Sequence, residues 1–260
     1  MDPASRTYYL QQIGLTAWRQ RHFDRPSKLA EPSPPARPDS TVTPAVPEPE
    51  RAAADVSGPE QSAARPIDTA TTSPVAQMDW AALEAWLAEQ DHRGASRPVF
   101  GAGARDASLL VIGEAPGAEE DRRGEPFVGR AGQLLDRMLA AISHSRADNT
   151  YIANICKFRP PGNRDPKADE IAADRPVLER QIELLRPRAI LALGRVAAQT
   201  LLDSREPLGK LRGRWLQYPG TDIPLLISYH PAYLLRSPQQ KSLAWDDLRQ
   251  MHRYLKAGPP

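Results

Sequence analysis

The chain has one cysteine, Cys156, among its 260 residues. No intrachain disulfide can form, and no site that needs several thiolates can be built. Long apolar runs are missing too: nothing approaches the ~18 consecutive apolar residues of a membrane-spanning helix. The N-terminus, Met1-Asp2-Pro3-Ala4-Ser5-Arg6, lacks the basic-then-apolar order of a secretory signal. These absences point to the cytoplasm. The nucleotide patterns G-x-G-x-x-G and G-x-x-x-x-G-K-S/T do not occur, which argues against a dinucleotide or P-loop site. Aromatic residues are scarce, 6% of the chain, and residues 24–78 have none. That stretch holds eleven of the 27 prolines. It cannot bury enough apolar surface to offset its ordering entropy and is expected to be a disordered Pro/Ala-rich linker.

What is present divides the chain into three. Residues 1–23 contain an apolar, aromatic segment, 7–22. Its Tyr8, Tyr9, Leu10, Ile13, Leu15 and Trp18 fit a short helix, or one broken near Gly14. It is too short to be stable alone. Either it docks on a partner beyond the linker, or it packs on its own domain. Residues 79–260 are long enough for one α/β core. The net charge of +2 is unevenly spread: residues 79–150 sum to −4 and 151–260 to +7. The basic half can face a polyanion, or simply be a solvated surface.

Asp79 is placed to cap a helix whose apolar face is Trp80, Leu83, Trp86 and Leu87. Apolar runs bounded by turn residues then predict strands at 109–112, 151–156, 189–193 and 223–228. They alternate with helices at 132–143, 168–185, 196–202 and 242–255. Such alternation predicts a three-layer α/β/α fold with a central, mostly parallel four-stranded sheet. Ligands of open α/β sheets sit beyond the carboxyl ends of the strands. Three polar clusters fall there. Gly113-Glu114-Ala115-Pro116-Gly117 follows the first strand, and Asn154 ends the second. Tyr229-His230-Pro231 follows the last. Each alone is as readily a turn, a capping Asn or a structural His. Their shared edge is what points to a pocket.

The clusters, in order, resemble the uracil-DNA glycosylase superfamily, and most of all its family 4. Four motifs match within residues 98–256. The first is Gly113 through Asp121. The second is Glu125-Pro126-Phe127-Val128-Gly129-Arg130-Ala131-Gly132. The third is Tyr151-Ile152-Ala153-Asn154 with Arg159 through Arg164, and the fourth is His230 through Arg236. The resemblance implies that fold, and hydrolysis of the N-glycosidic bond of deoxyuridine in DNA, the first step of base excision repair. Such an enzyme takes the base out of the stack and reads its edge. By the resemblance, Phe127 stacks on the flipped uracil. Asn154 bonds O4 and N3–H, because an amide accepts and donates side by side. His230 donates to O2 as uracil leaves as an anion. Gly113 and Ala115 supply backbone contacts beside Glu114. In family 1 an aspartate stands at the position of Ala115 and orients the water; here that role stays open between Glu114 and Asp121. Leu234, Leu235 and Arg236 are expected to form a loop that wedges into the duplex. Lys157, Arg159 and Arg164 are expected phosphate contacts, if they are not merely solvated charges.

Family 4 also implies four cysteines around a 4Fe–4S cluster, and four thiolates are the chemical requirement. The first pair belongs within residues 90–97, where there is no cysteine. Phe158 and Asp174 occupy the third and fourth positions. No cluster, no metal and no other cofactor is expected; packing that includes Phe158 takes its place, and Cys156 is expected to be a small buried strand residue. At the N-terminus, Leu10, Gln11, Ile13, Gly14, Leu15 and Trp18 are similar to the N-terminal peptide of the psi subunit of the bacterial replicative clamp loader. That likeness implies the clamp-loader collar as partner; a sliding-clamp peptide is the rival and fits less well. The expectation is a bacterial-type, nucleoid-associated, monomeric glycosylase tethered to the replisome. One alternative is a catalytically weak DNA-binding or scaffold protein of replication or repair. Another is a nucleotide-binding α/β protein that holds phosphate at 113–117.

Overall fold

The structure, a computed structural model, describes residues 74–257. The peptide expected within 1–23 and nearly all of the linker lie outside the described residues. The folded part starts earlier than residue 79, because Val75 is buried and packs with Leu83, Leu87, Phe100, Phe158 and Val177.

Helix α1 (Trp80–Ala88) begins as its sequence predicts: the Asp79 carboxylate accepts from the Ala82 N–H at 2.8 Å. Strands β1 (Ala102–Gly103) and β2 (Leu109–Gly113) follow, then helices α2 (Ala118–Arg123) and α3 (Arg130–Ala140). Strand β3 (Thr150–Asn154) leads through a 3-10 turn (Pro161–Asn163) to the long helix α4 (Ala168–Leu185). Next come β4 (Ala189–Leu193), α5 (Arg195–Leu201), α6 (Leu208–Leu211), β5 (Trp215–Gln217) and β6 (Pro224–Ser228). Helix α7 (Pro231–Arg236) and helix α8 (Lys241–Ala257) complete the domain, with a 3-10 turn (Pro238–Gln240) between them.

The sheet order is β1-β3-β2-β4-β6-β5. The four strands expected from the apolar runs form its parallel centre. Two short antiparallel strands, β1 and β5, extend it to six. They escape sequence reading because two or three residues give no usable period. Every residue of β2, β3 and β4 is buried, as expected for strands covered on both faces. Alternate side chains then go to opposite sides. Leu109, Val111, Ile152, Leu191 and Leu226 pack with α3 and α8. Leu110, Ile112, Tyr151, Ala153, Ile190 and Ile227 pack with α4 and α5.

The residue ladder sets the site. Gly113 is registered with Asn154, and Leu193 with Ser228. The ends of β2, β3 and β6 therefore lie along one edge, and the loops that carry the polar clusters leave from it. The segment 234–236, expected to be a loop, is the second half of helix α7. Leu234 is the residue this turns inward. It is 1% exposed, between Leu134, Met138, Ala244, Trp245 and Leu248.

Candidate active site

Gly113 ends β2 where no side chain fits. A Cβ there would stand 2.6 Å from Phe127 Cζ and press on Asn154 Oδ1. Glycine thus brings the ring and the amide together over one backbone position. The Asn154 side chain is buried at 2% exposure, and its Oδ1 has no hydrogen-bond partner among the described residues. A buried amide oxygen left unpaired costs free energy that a ligand N–H would recover. Phe127 is 6% exposed, and its ring lies 5.4 Å from that of His230, tilted by 30°.

His230 caps α7. Its Nδ1 accepts from the Ala232 N–H at 3.2 Å. An accepting Nδ1 leaves the proton of the neutral ring on Nε2. Burial, followed by the Arg236 charge, pulls its pKa down to about 4, with Glu120 opposing. The ring is therefore a neutral Nε2–H donor at physiological pH. Gly194 keeps its approach open, since a Cβ there would lie 3.1 Å from His230 Cβ.

The Glu114 carboxyl is partly buried. Its pKa is raised, first by burial and then by Asp165, against the pull of Arg195. Ala115 packs against the α4 side of the core. Asp121 is withdrawn from any water-positioning role. It is 5% exposed and accepts from Ser96 N at 2.7 Å and Ser96 Oγ at 3.0 Å, with Arg159 at 3.7 Å. Its carboxylate anchors Ser96 and the Arg97 backbone N–H.

Two expected DNA contacts are corrected. Lys157 has no exposure at all; its Nζ donates to the Asn154 carbonyl at 3.0 Å and to Gln181 Oε1 at 2.7 Å. It braces the pocket and cannot reach phosphate. Leu234 is a core residue and cannot wedge into a duplex. The exposed part of α7 is Tyr233 and Arg236, with Leu235 half-buried. Arg164 is held by Glu170 through two bonds, 2.7 and 2.6 Å. Arg159 Nε donates to Asn163 Oδ1 at 2.8 Å and remains partly exposed.

Sequence reasoning missed Glu120. One of its oxygens accepts from Val128 N and Gly129 N, each at 3.1 Å, and the other from Gly117 N at 3.1 Å. It ties the loop after β2 to the loop that carries Phe127. Its spacing of three from Gly117 was the available signal.

The positions that the family resemblance gives to an iron–sulfur cluster do converge. Arg93 NH2 meets Asp174 Oδ1 at 2.6 Å, and the guanidinium lies 4.7 Å over the Phe158 ring. Asp174 Oδ2 accepts the Lys157 N–H at 2.6 Å, and His92 lies 5.4 Å from Phe158. An ion pair stacked on an aromatic ring has no thiolate to offer. Cys156 is buried nearby, and burial holds its thiol up at about 12, the protonated form. The residues do not fit a cluster that needs four thiolates. Among the described residues no group of His, Cys, Asp or Glu could hold a metal ion, and no helix is long and apolar enough to cross a membrane.

Residues 100–249 match the uracil DNA glycosylase superfamily. The chain is 40% identical over 163 residues to the Type-4 uracil-DNA glycosylase of Pyrobaculum aerophilum, a match that covers 60% of this chain and 83% of that one. It is 41% identical over 168 residues to the enzyme of that name from Saccharolobus solfataricus, covering 62% and 77%. It is 37% identical over 168 residues to the one from Thermotoga maritima, covering 64% and 86%.

Proposed function

The chain belongs to the uracil DNA glycosylase superfamily, and from that premise we propose that it hydrolyses the N-glycosidic bond of deoxyuridine in DNA with Phe127, Asn154 and His230. The observation that carries this reading is their convergence around Gly113, with an unpaired Asn154 Oδ1 and a His230 whose proton sits on Nε2. Extruded uracil stacks on Phe127. Asn154 Oδ1 accepts from uracil N3–H while its NH2 donates to O4; cytosine, with an acceptor at N3 and an amino group at C4, fits neither. As the C1′–N1 bond breaks, its electron pair goes to uracil and charge builds on O2. His230 Nε2–H donates to that oxygen, an interaction stronger in the transition state than in the substrate. Water adds to C1′ and its proton passes to a carboxylate. With Asp121 engaged elsewhere, Glu114 is our choice for that group; burial raises its pKa, which makes it a stronger base than an exposed carboxylate.

DNA is expected to lie along the exposed side of α7, at Tyr233, Leu235 and Arg236, with Arg159 on the opposite rim. Arg164 contributes only if Glu170 releases it. The likeness of residues 10–18 to a clamp-loader peptide supports a tether to the replisome, which would raise the local concentration at new DNA. A peptide of residues 1–24 that fails to bind the clamp-loader collar sinks that part alone.

The decisive experiment is alkaline-cleavage detection of base release from uracil-containing oligonucleotides, single- and double-stranded. It uses purified full-length protein beside His230→Ala and Asn154→Ala. Release by the wild type and its loss in both variants supports the reading. A folded wild type without release on either substrate refutes it and leaves a DNA-binding scaffold.

A further inference from the structure

Phe127 has a φ of +54°. A bulky residue seldom adopts the left-handed region, and such a conformation persists only where its surroundings over-determine it. Two features do so here. Gly132, in the first turn of α3, has no room for a Cβ because the Phe127 carbonyl lies against it. Arg146, in the connection from α3 to β3, reaches back to the same turn. Its NH1 donates to the Pro126 carbonyl and its NH2 to the Phe127 carbonyl, both at 3.1 Å. Asp136 on α3 orients this fork: Oδ1 accepts from Arg146 Nε at 3.0 Å and NH2 at 2.7 Å.

We propose that Arg146, aimed by Asp136, is a positioning residue for uracil stacking: it locks the Pro126–Phe127 turn so that the Phe127 ring stands ready opposite His230. This rests on the glycosylase reading and deepens it. Two adjacent carbonyl oxygens need two donors in a fixed plane, which a guanidinium supplies and an ammonium does not. These bonds use four of the five N–H donors of Arg146. Little is left for a DNA phosphate, although the side chain is 26% exposed. A preformed ring spares the substrate the cost of ordering it. Without the fork, the turn can relax toward ordinary φ values and carry the ring away from Gly113.

The test compares wild type with Arg146→Ala, Arg146→Lys and Asp136→Asn in steady-state kinetics on a uracil oligonucleotide. It adds inhibition by free uracil, salt dependence of binding, and rescue by methylguanidinium. Arg146→Ala is expected to lose ~10- to 100-fold in kcat/KM and to bind free uracil correspondingly less well. Added methylguanidinium restores part of both in Arg146→Ala, and lysine restores little. Rescue of uracil binding is a readout that a merely structural role would not move. If Arg146→Ala fails to fold, Asp136→Asn carries the test with a smaller loss of the same kind. The proposal is overturned if folded variants keep wild-type kcat/KM and uracil inhibition. It is also overturned if the loss appears only as a changed salt slope, which marks a phosphate contact. A wild type that releases no uracil fails the functional reading itself, an outcome distinct from either.

Discussion

Replacing Lys157 with methionine should flatten the pH dependence of folding stability. The ammonium is wholly buried, and that burial lowers its pKa from 10.5 to about 7, with Asp174 and then Cys156 opposing. In the unfolded chain it returns to ~10.4. Between the two values the unfolded state holds a proton that the folded state has released, so stability rises with pH. Below about 7 both states are protonated and the full penalty of the buried charge stands; above about 10.5 neither is. One proton is worth at most ~1.4 kcal/mol per pH unit, so this group contributes a gain of roughly 2 kcal/mol from pH 7 to pH 9. Methionine removes the titration and leaves two acceptors, Asn154 O and Gln181 Oε1, unpaired at ~1–3 kcal/mol each. Removing the desolvated amine offsets part of that, so the slope is the readout and the absolute stability is not. Urea unfolding followed by tryptophan fluorescence, in half-unit steps from pH 6.5 to 9.5, gives both curves. Their difference should climb by roughly 2 kcal/mol between pH 7 and 9. Parallel curves would refute the assignment of a buried, neutralising amine.

Three other outcomes follow from the same geometry. His230→Ala should lower kcat by ~10²- to 10³-fold with a smaller change in KM; because the wild-type ring stays neutral down to about pH 4, the acid limb of the wild-type kcat profile should show no ionisation near 6.5. An activity that halves at that pH, and still does so in Glu114→Gln, tells against a neutral donor. Gly113→Ala drives a Cβ into the Phe127 ring and the Asn154 amide, so uracil inhibition should disappear while circular dichroism holds; retained inhibition would place the base elsewhere. Leu234→Ala should cost ~2–5 kcal/mol of stability and leave the DNA affinity of the folded protein alone, whereas Arg236→Ala should reduce the salt slope of binding by ~1. Unchanged stability with weakened DNA binding in Leu234→Ala would restore Leu234 as a DNA contact.

Much of this was legible because the signals were redundant. Helix α4 runs over the residues that its periodicity marks, and β4 likewise. Four separate runs agreed on a parallel centre. Asn154 and His230 could be placed because strand ends define the ligand edge of such a sheet. Leu234 was misread because α7 is six residues long, too short for periodicity, and its Pro231 reads as a turn when it is in fact a first-turn residue. Lys157 was misread by charge: a lysine in a basic half suggests phosphate, and only the fold shows Asn154 and Gln181 closing over it. Arg146 carries no local signal, because its partners, Pro126 and Phe127, lie about 20 residues earlier.

The Arg93–Asp174 pair over Phe158 has a consequence for how the protein is made and kept. Side chains of this chain hold together the corner where the family resemblance puts a cluster, and that corner draws on no thiolate-bound iron. Burial raises the pKa of Asp174, so the folded state takes up that proton before the unfolded state does, and acid does not weaken the fold through this group. Peroxide and chelators should leave such a domain untouched in a cell whose iron-dependent enzymes are failing.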